Sequence, residues 1–348
     1  LLGGPAELGR YLGPDSVTSL VAAHDVIDFR TQVWPLVAKE LAWSYYRELA
    51  LGHPGRITGS FEDFAARFAG AGWDTPGFDE LITSTVPSLH DRLDIAHFDR
   101  PLNGVRFATG DDLEDHIRSH IEADLVRRAD PSYSADLGLF AATLSVTANL
   151  RRLVASGRLS TRSRVADVDG WWWSFFSYYS SGPPPRRLQE LLALERAGIV
   201  RFVGADMWVE RDEESGRWRA GSPSSPRVVE ADALVDARLP APSVSASRST
   251  LVQSLHRRGH AGEEVLSEDG FRWRSGYLTV APTSAEVLDA EGRAHPRRFA
   301  LGANTSNGRG GAFSRPRTNA LAFRQNDAVA RRVLSLVAAG RDEALSAD

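Results

Sequence analysis

The titratable residues whose spacing could do chemistry are His116, His120 and Asp124, at i, i+4 and i+8, which share one face if the segment is helical. That spacing could hold a metal, yet no Glu accompanies it in a zinc-protease pattern, so it reads as a solvated helix face and no metal is assigned. Trp171 to Trp173, with Phe175, Phe176, Tyr178 and Tyr179, form a dense aromatic run. Such a run serves either as core or as the wall of an aromatic pocket, and Trp172 and Phe176 are the candidates for substrate contact. His256 and His260 sit among arginines and read as surface. The chain has no cysteine, which excludes thiol catalysis, disulfides and thiolate metal sites. No G-x-S-x-G elbow, G-x-x-x-x-G-K-S/T loop or G-x-G-x-x-G fingerprint occurs, so hydrolase and NTPase chemistry lack support. No residue stands out as a catalytic acid or base.

The elements that must position these residues belong to a chain of 348 residues, with 42% hydrophobic and 25% charged side chains. That is the balance of a globular protein able to bury a sizeable core across two or three domains. The net charge of −4, with acidic and basic residues interspersed, leaves no electrostatic footprint for nucleic acid. No apolar run reaches the roughly 18 residues of a membrane helix; Leu137 to Leu150 is broken by Ser145, Thr147 and Asn149. A soluble, cytoplasmic protein is the expectation, and oligomeric state is not legible. The first residue is Leu, with neither a charged n-region nor a long apolar run behind it, so the chain reads as a fragment rather than a natural start.

Residues 1–197 read as a mainly helical region on the substrate or interaction side. Helices are expected over Gln32 to Leu51, with Pro35 in the first turn and Gly52 ending it, and over Ser60 to Ala69, Asp111 to Arg128, Tyr133 to Ala155 and Arg186 to Ala197. After Gly198 the period changes. Ile199 to Val203, Met207 to Glu210 and Arg217 to Ala220 read as strands, with a turn at Glu213 to Gly216 and a polar loop at Gly221 to Pro226. Ala231 to Leu239 reads as a buried strand, Tyr277 to Val280 and Arg297 to Leu301 as short strands, and Pro316 to Ala338 as a long final helix. That order fits the second half of a doubly wound nucleotide-binding domain, here residues 198–348.

The runs Val33-Trp-Pro-Leu-Val-Ala-Lys-Glu-Leu-Ala-Trp43, Asp130-Pro-Ser-Tyr-Ser-Ala-Asp136, Val168-Asp-Gly-Trp-Trp172, Phe202-Val-Gly-Ala-Asp-Met-Trp208 and Pro316 to Asp327 carry a resemblance. Together they resemble the C-terminal portion of the actinobacterial FAD/NAD(P)-binding protein family, relatives of flavin-dependent N-hydroxylating monooxygenases. The resemblance implies an α/β fold: the C-terminal half of a Rossmann-like FAD/NAD(P)-binding domain, joined to a large helical region. It implies an FAD-dependent, NAD(P)H-using oxidoreductase, a monooxygenase acting on a small amine or amino acid. The alternative is a non-catalytic nucleotide-binding or accessory protein of the same fold, and an all-helical scaffold is a third reading.

Two segments follow from that resemblance. Ala231 to Leu239 is similar to the strand that returns from a meander to the sheet beside the cofactor, although Asp236-Ala237-Arg238 stands where a small residue and Gly are usual. Arg298 to Thr305 is similar to the last cofactor-contacting strand. Gly302 would allow close approach, Asn304 and Thr305 would hydrogen-bond ribityl hydroxyls, and Thr318 and Asn319 would open a helix facing the flavin. The other reading of this stretch is a bare strand-to-helix connection. Ala231 to Leu239 and Phe299 to Gly302 are accordingly expected as neighbouring, buried, parallel strands of one sheet.

Overall fold

A computed structural model describes residues 1–307, 317 and 319–345. The chain divides into two compact units, Leu1–Asp236 and Ala237–Asp348. No described helix is long and apolar enough to cross a membrane.

The first unit is helical before it is anything else. Its helices are α1 (Pro14–Ala23), α2 (Trp34–Gly52), α3 (Phe61–Gly70), α4 (Pro76–Thr85), α5 (Ile95–Asp99), α6 (Gly110–Ala129), α7 (Ser134–Ala155), α8 (Thr161–Ser163), α9 (Trp173–Ser180) and α10 (Pro185–Arg196). Their starts follow local chemistry. Pro35 occupies the first turn of α2, where its missing N–H has no helical partner to lose. The Ser60 hydroxyl accepts from the Asp63 N–H at the start of α3. At α6, Thr109 and Asp112 cap each other's backbone N–H groups reciprocally. Two wider π-type turns, Phe29–Val33 and Arg164–Trp172, lead into α2 and α9.

The centre is the pair α2 and α7. Helix α2 carries Val37, Leu41, Trp43, Tyr46 and Leu49 into the core, and α7 contributes Leu139, Ala142, Val146 and Leu150. Gly138 lets the two backbones approach closely: a Cβ there would sit 2.6 Å from the Ser44 carbonyl oxygen. Glu40, fully buried, accepts the backbone N–H groups of Gly9, Tyr11 and Leu12 and so ties the first residues of the chain to α2. Burial pushes the Glu40 carboxyl upward, and those three donors oppose the push.

An antiparallel meander, β1 (Trp208–Arg211), β2 (Trp218–Ser222) and β3 (Ser225–Ala231), completes the first unit. It is fastened to α6 through Arg227, whose guanidinium pairs with Glu114 and, at 3.0 Å, with Asp111. A second fastening joins α6 to α10, where Arg118 meets Glu195 at 2.6 Å.

The second unit holds α11 (Thr250–Arg257), the hairpin β4 (Glu263–Glu268) and β5 (Phe271–Leu278), the pair β6 (Glu286–Leu288) and β7 (Ala294–Phe299), and the long α12 (Leu321–Leu345). Its core is small, built on Ala261, Val280 and Val287.

The structure is therefore a mixture of helices and small antiparallel sheets, and among the described residues there is no parallel sheet. Parallel pairing is confined to the single bridges Ile27 to Leu159 and Leu278 to Thr305. This corrects the expected strand pair. Ala231 closes β3, residues 232–239 lie outside every strand, and Phe299 ends β7, whose partner is the antiparallel β6. Val235 is 85% and Leu239 95% exposed. A doubly buried parallel strand requires neighbours on its edges, and no described strand runs beside this segment, so its apolar side chains face water. Residues 199–203 are likewise irregular rather than strand. The long final helix begins at Leu321, and Pro316 lies outside the described residues.

Candidate functional site

A cleft of about 1320 Å³ in the first unit opens between α2, α6, α7, α9 and the segment 89–101. Its walls follow from the corner between α6 and α7. Asp130 accepts the Ser132 N–H, a short turn over Pro131–Tyr133 reverses the chain, and α7 begins at Ser134. The corner sets the last turn of α6, with Arg127 and Arg128, against the first turn of α7, with Asp136. Segment 89–101 is held along the opposite wall, where the Tyr46 hydroxyl accepts from the Leu93 N–H.

The charged groups of the cleft differ in how far their bonding is already satisfied. Arg92 donates to the carbonyls of Val86, Thr83 and Pro87. Arg56 pairs with Asp91 at 3.3 Å, and Arg128 with Asp124 at 2.7 Å. Arg127 stands between Asp124 and Asp136 at 3.8 and 3.7 Å, attracted to both but beyond hydrogen-bond reach of either. Burial raises the Asp136 carboxyl above the ordinary carboxylate range; Arg127 opposes that shift and Asp124 adds to it. Burial lowers His120, and the nearby Arg127 lowers it further, so its imidazole stays neutral to lower pH than usual. Tyr45 and Tyr179 are raised, chiefly by burial, and remain protonated phenols. The Tyr179 hydroxyl donates to the Asp136 carbonyl at 3.1 Å. The cleft thus offers both signs of charge, hydrogen-bond donors and apolar wall, the requirements of a small zwitterionic ligand.

The residues singled out from sequence are distributed as follows. Of the i, i+4, i+8 trio, His120 and Asp124 line the cleft, while His116 packs on the Phe107 ring at 5.2 Å. No group of three potential metal ligands converges among the described residues. Trp172 is fully buried, its indole N–H donating to the Thr147 hydroxyl at 3.1 Å. Phe176 is half-buried edge-on against Trp173 and lines neither principal cleft. The neighbours on the other faces reach cavities instead. Trp171, Phe175 and Tyr179 stack in sequence, with Tyr179 on the large cleft and Trp171 on a second one of about 640 Å³.

The segment from Gly302 is arranged differently from the expectation. Gly302 has φ +115 and is exposed, as are Asn304 and Asn319. Thr305 is buried, and its hydroxyl donates to the Gly302 carbonyl at 2.7 Å, inside its own turn. The Asn304 carbonyl accepts from the Leu278 N–H. Thr318 lies outside the described residues. One hydroxyl is thus engaged within its own turn, while Gly302, Asn304 and Asn319 lie at the surface.

Arg127, Asp136 and Tyr45 were not singled out as site residues from the sequence, whereas Tyr179 belongs to the aromatic run. A partial signal existed: the run Asp130 to Asp136 supplies Ser132, Tyr133, Ala135 and Asp136 to the cleft.

Comparisons with known proteins bear on this site. No family model matches the chain. It is 31% identical over 343 residues to an L-aspartate N-monooxygenase (nitrosuccinate-forming) of Streptomyces davaonensis, an alignment covering 95% of this chain and 51% of that protein. Its similar proteins are nitrosuccinate-forming enzymes. The L-aspartate N-monooxygenase of Streptomyces cremeus is 31% identical, over 94% of this chain and 50% of its own length. A nitrosuccinic acid synthase of Aspergillus oryzae is 29% identical, over 90% of this chain and 47% of its own length. The chain spans about half the length of the curated relatives it matches.

Proposed function

We propose that the complete gene product is a monooxygenase that oxidises the amino group of a small acidic amino acid of the aspartate type, using FAD and NAD(P)H. The observation that carries this reading is a similarity running through 90 to 95% of the chain to two nitrosuccinate-forming L-aspartate N-monooxygenases and a nitrosuccinic acid synthase. Aspartate and nitrosuccinate share a carbon skeleton, so the chemistry is repeated oxygenation of one nitrogen. Oxygenating an amine consumes dioxygen, a hydride from the nicotinamide and a proton, placing one oxygen atom on nitrogen and releasing the other as water. The cofactor supplies that redox chemistry, while protein residues bind and orient the amine and exclude bulk water.

In this reading the helical unit provides the substrate side, and the polar cleft receives the amino acid. The nucleotide grip, including a Rossmann-like sheet, lies largely in residues of the longer protein that this chain does not contain. The exposure of Leu234, Val235 and Leu239 supports it, since an apolar segment this open gains from burial as a strand beside a further strand. The test is to purify the complete gene product and record its spectrum and its L-aspartate-dependent NAD(P)H consumption. A yellow protein that converts aspartate to an N-oxidised product is expected. A colourless protein with no aspartate-dependent turnover would refute the reading.

A further inference from the structure

Arg127 is distinguished from the other cleft arginines by what it does not do. Arg92 is spent on three backbone carbonyls, Arg56 on Asp91, and Arg128 on Asp124 and the Pro183 carbonyl. Arg127 makes no side-chain hydrogen bond among the described residues; its two carboxylate neighbours stand at 3.7 and 3.8 Å. A guanidinium presents its N–H donors in a planar fork that matches a carboxylate bidentately. Here that fork is held in a cleft, charged and partly desolvated, with its donors uncommitted to protein. The flanking carboxylates have complementary capacity. Asp124 is engaged by Arg128 through Oδ2, and among the described residues the nearest cation to the Asp136 carboxylate is Arg127, at 3.7 Å. The arrangement keeps one cation between two anions, a geometry that can open to admit a ligand carrying both signs.

We infer that Arg127 is the carboxylate anchor of the cleft and that Asp136, with Asp124, receives the ammonium group of the same ligand, an α-amino dicarboxylic acid. The assignment rests on the proposed amino-acid reading for its ligand class, but its geometry is independent of the redox chemistry. Binding exchanges two long ion pairs within the protein for charge-assisted hydrogen bonds to the ligand, with Arg127 taking a carboxylate and Asp136 the amine. It makes the site selective twice over: amines without a carboxylate lose the anchor, and dicarboxylates without an amine leave Asp136 facing their negative charge.

The test uses the complete gene product, titrated calorimetrically with L-aspartate and with succinate, which has the carboxylates but no amine. Arg127→Gln is expected to weaken both ligands by about tenfold or more, as loss of a charge-assisted pair implies. Asp136→Asn is expected to weaken L-aspartate by about tenfold while leaving succinate equal or tighter, because it removes a charge that only the amine exploits. Arg127→Lys keeps the charge without the fork and should fall between wild type and Arg127→Gln, which separates anchoring from a folding defect. Unchanged L-aspartate affinity in Arg127→Gln, or equal loss of both ligands in Asp136→Asn, overturns the assignment even if the enzyme oxidises aspartate. Conversely, a protein that binds L-aspartate through Arg127 but never N-oxidises it retains this site and refutes only the monooxygenase reading.

Discussion

Substituting Gly138 by Ala should destabilise the protein and loosen the cleft together. The added Cβ would lie 2.6 Å from the Ser44 carbonyl oxygen and 3.2 Å from the Glu48 Cβ, both on the facing helix α2. The first distance falls about 0.8 Å short of ordinary contact, and the atom it meets is helix backbone, which cannot rotate away. Helices α2 and α7 must therefore separate, at about 2–3 kcal/mol, the upper part of the range typical of an overpacked core, because the clash is with backbone. Alanine recovers about 1 kcal/mol of helix propensity over glycine, leaving a net loss of about 1–2 kcal/mol. Because Ser44 adjoins Tyr45, and Gly138 follows Asp136 by two positions, the same displacement moves two cleft walls apart. Urea denaturation monitored by tryptophan fluorescence gives the stability, with Gly77→Ala as control. A Cβ at Gly77 in α4 meets nothing within 4 Å, so that variant should be neutral or more stable. A Gly138→Ala protein as stable as wild type would refute the close-packing argument.

Three further outcomes are expected. Arg227→Ala should cost about 3 kcal/mol in denaturation, because Glu114, only 9% exposed at its side chain, loses its nearest cation; replacing Glu114 by Gln as well should recover part of the loss. His120 is lowered by burial and Arg127, so the unfolded chain binds its proton more readily than the folded one. Stability owed to this residue is present above the ordinary histidine range and falls as pH drops through it, and the difference between wild type and His120→Gln, followed by denaturation from pH 8 to about pH 5, should shrink to that extent. Val235→Asp should change the stability of the 348-residue chain by less than about 0.5 kcal/mol, since the side chain is 85% exposed, yet should abolish flavin retention in the complete gene product. Equal effects in both proteins would remove the argument that this segment is buried as a strand in the longer protein.

The sequence by itself determined the elements whose causes are local. Helices α2, α3, α6, α7 and α10 lie within two or three residues of the positions read from period, proline and capping residues, because a helix closes its hydrogen bonds within its own segment. The turn at Glu213–Gly216 was legible for the same reason, as the Asp212 carboxylate accepts two backbone N–H groups inside it. Strands have no such autonomy. The apolar composition of Ala231 to Leu239 indicated burial, but a strand exists only with a partner, and no described strand runs beside residues 232–239. The same distinction holds at the site. Sequence spacing could place His120 and Asp124 on one helix face, and the aromatic run could be recognised, but which aromatics reach a cavity was decided by packing: Trp172 went to the core, while Trp171 and Tyr179 went to the clefts. The juxtaposition of Arg127 with Asp136 was set by the turn between α6 and α7, and the uncommitted state of Arg127 by partners found for every neighbouring arginine. Those are facts about long-range contact, which side-chain charge alone does not specify, and only the tertiary structure supplied them.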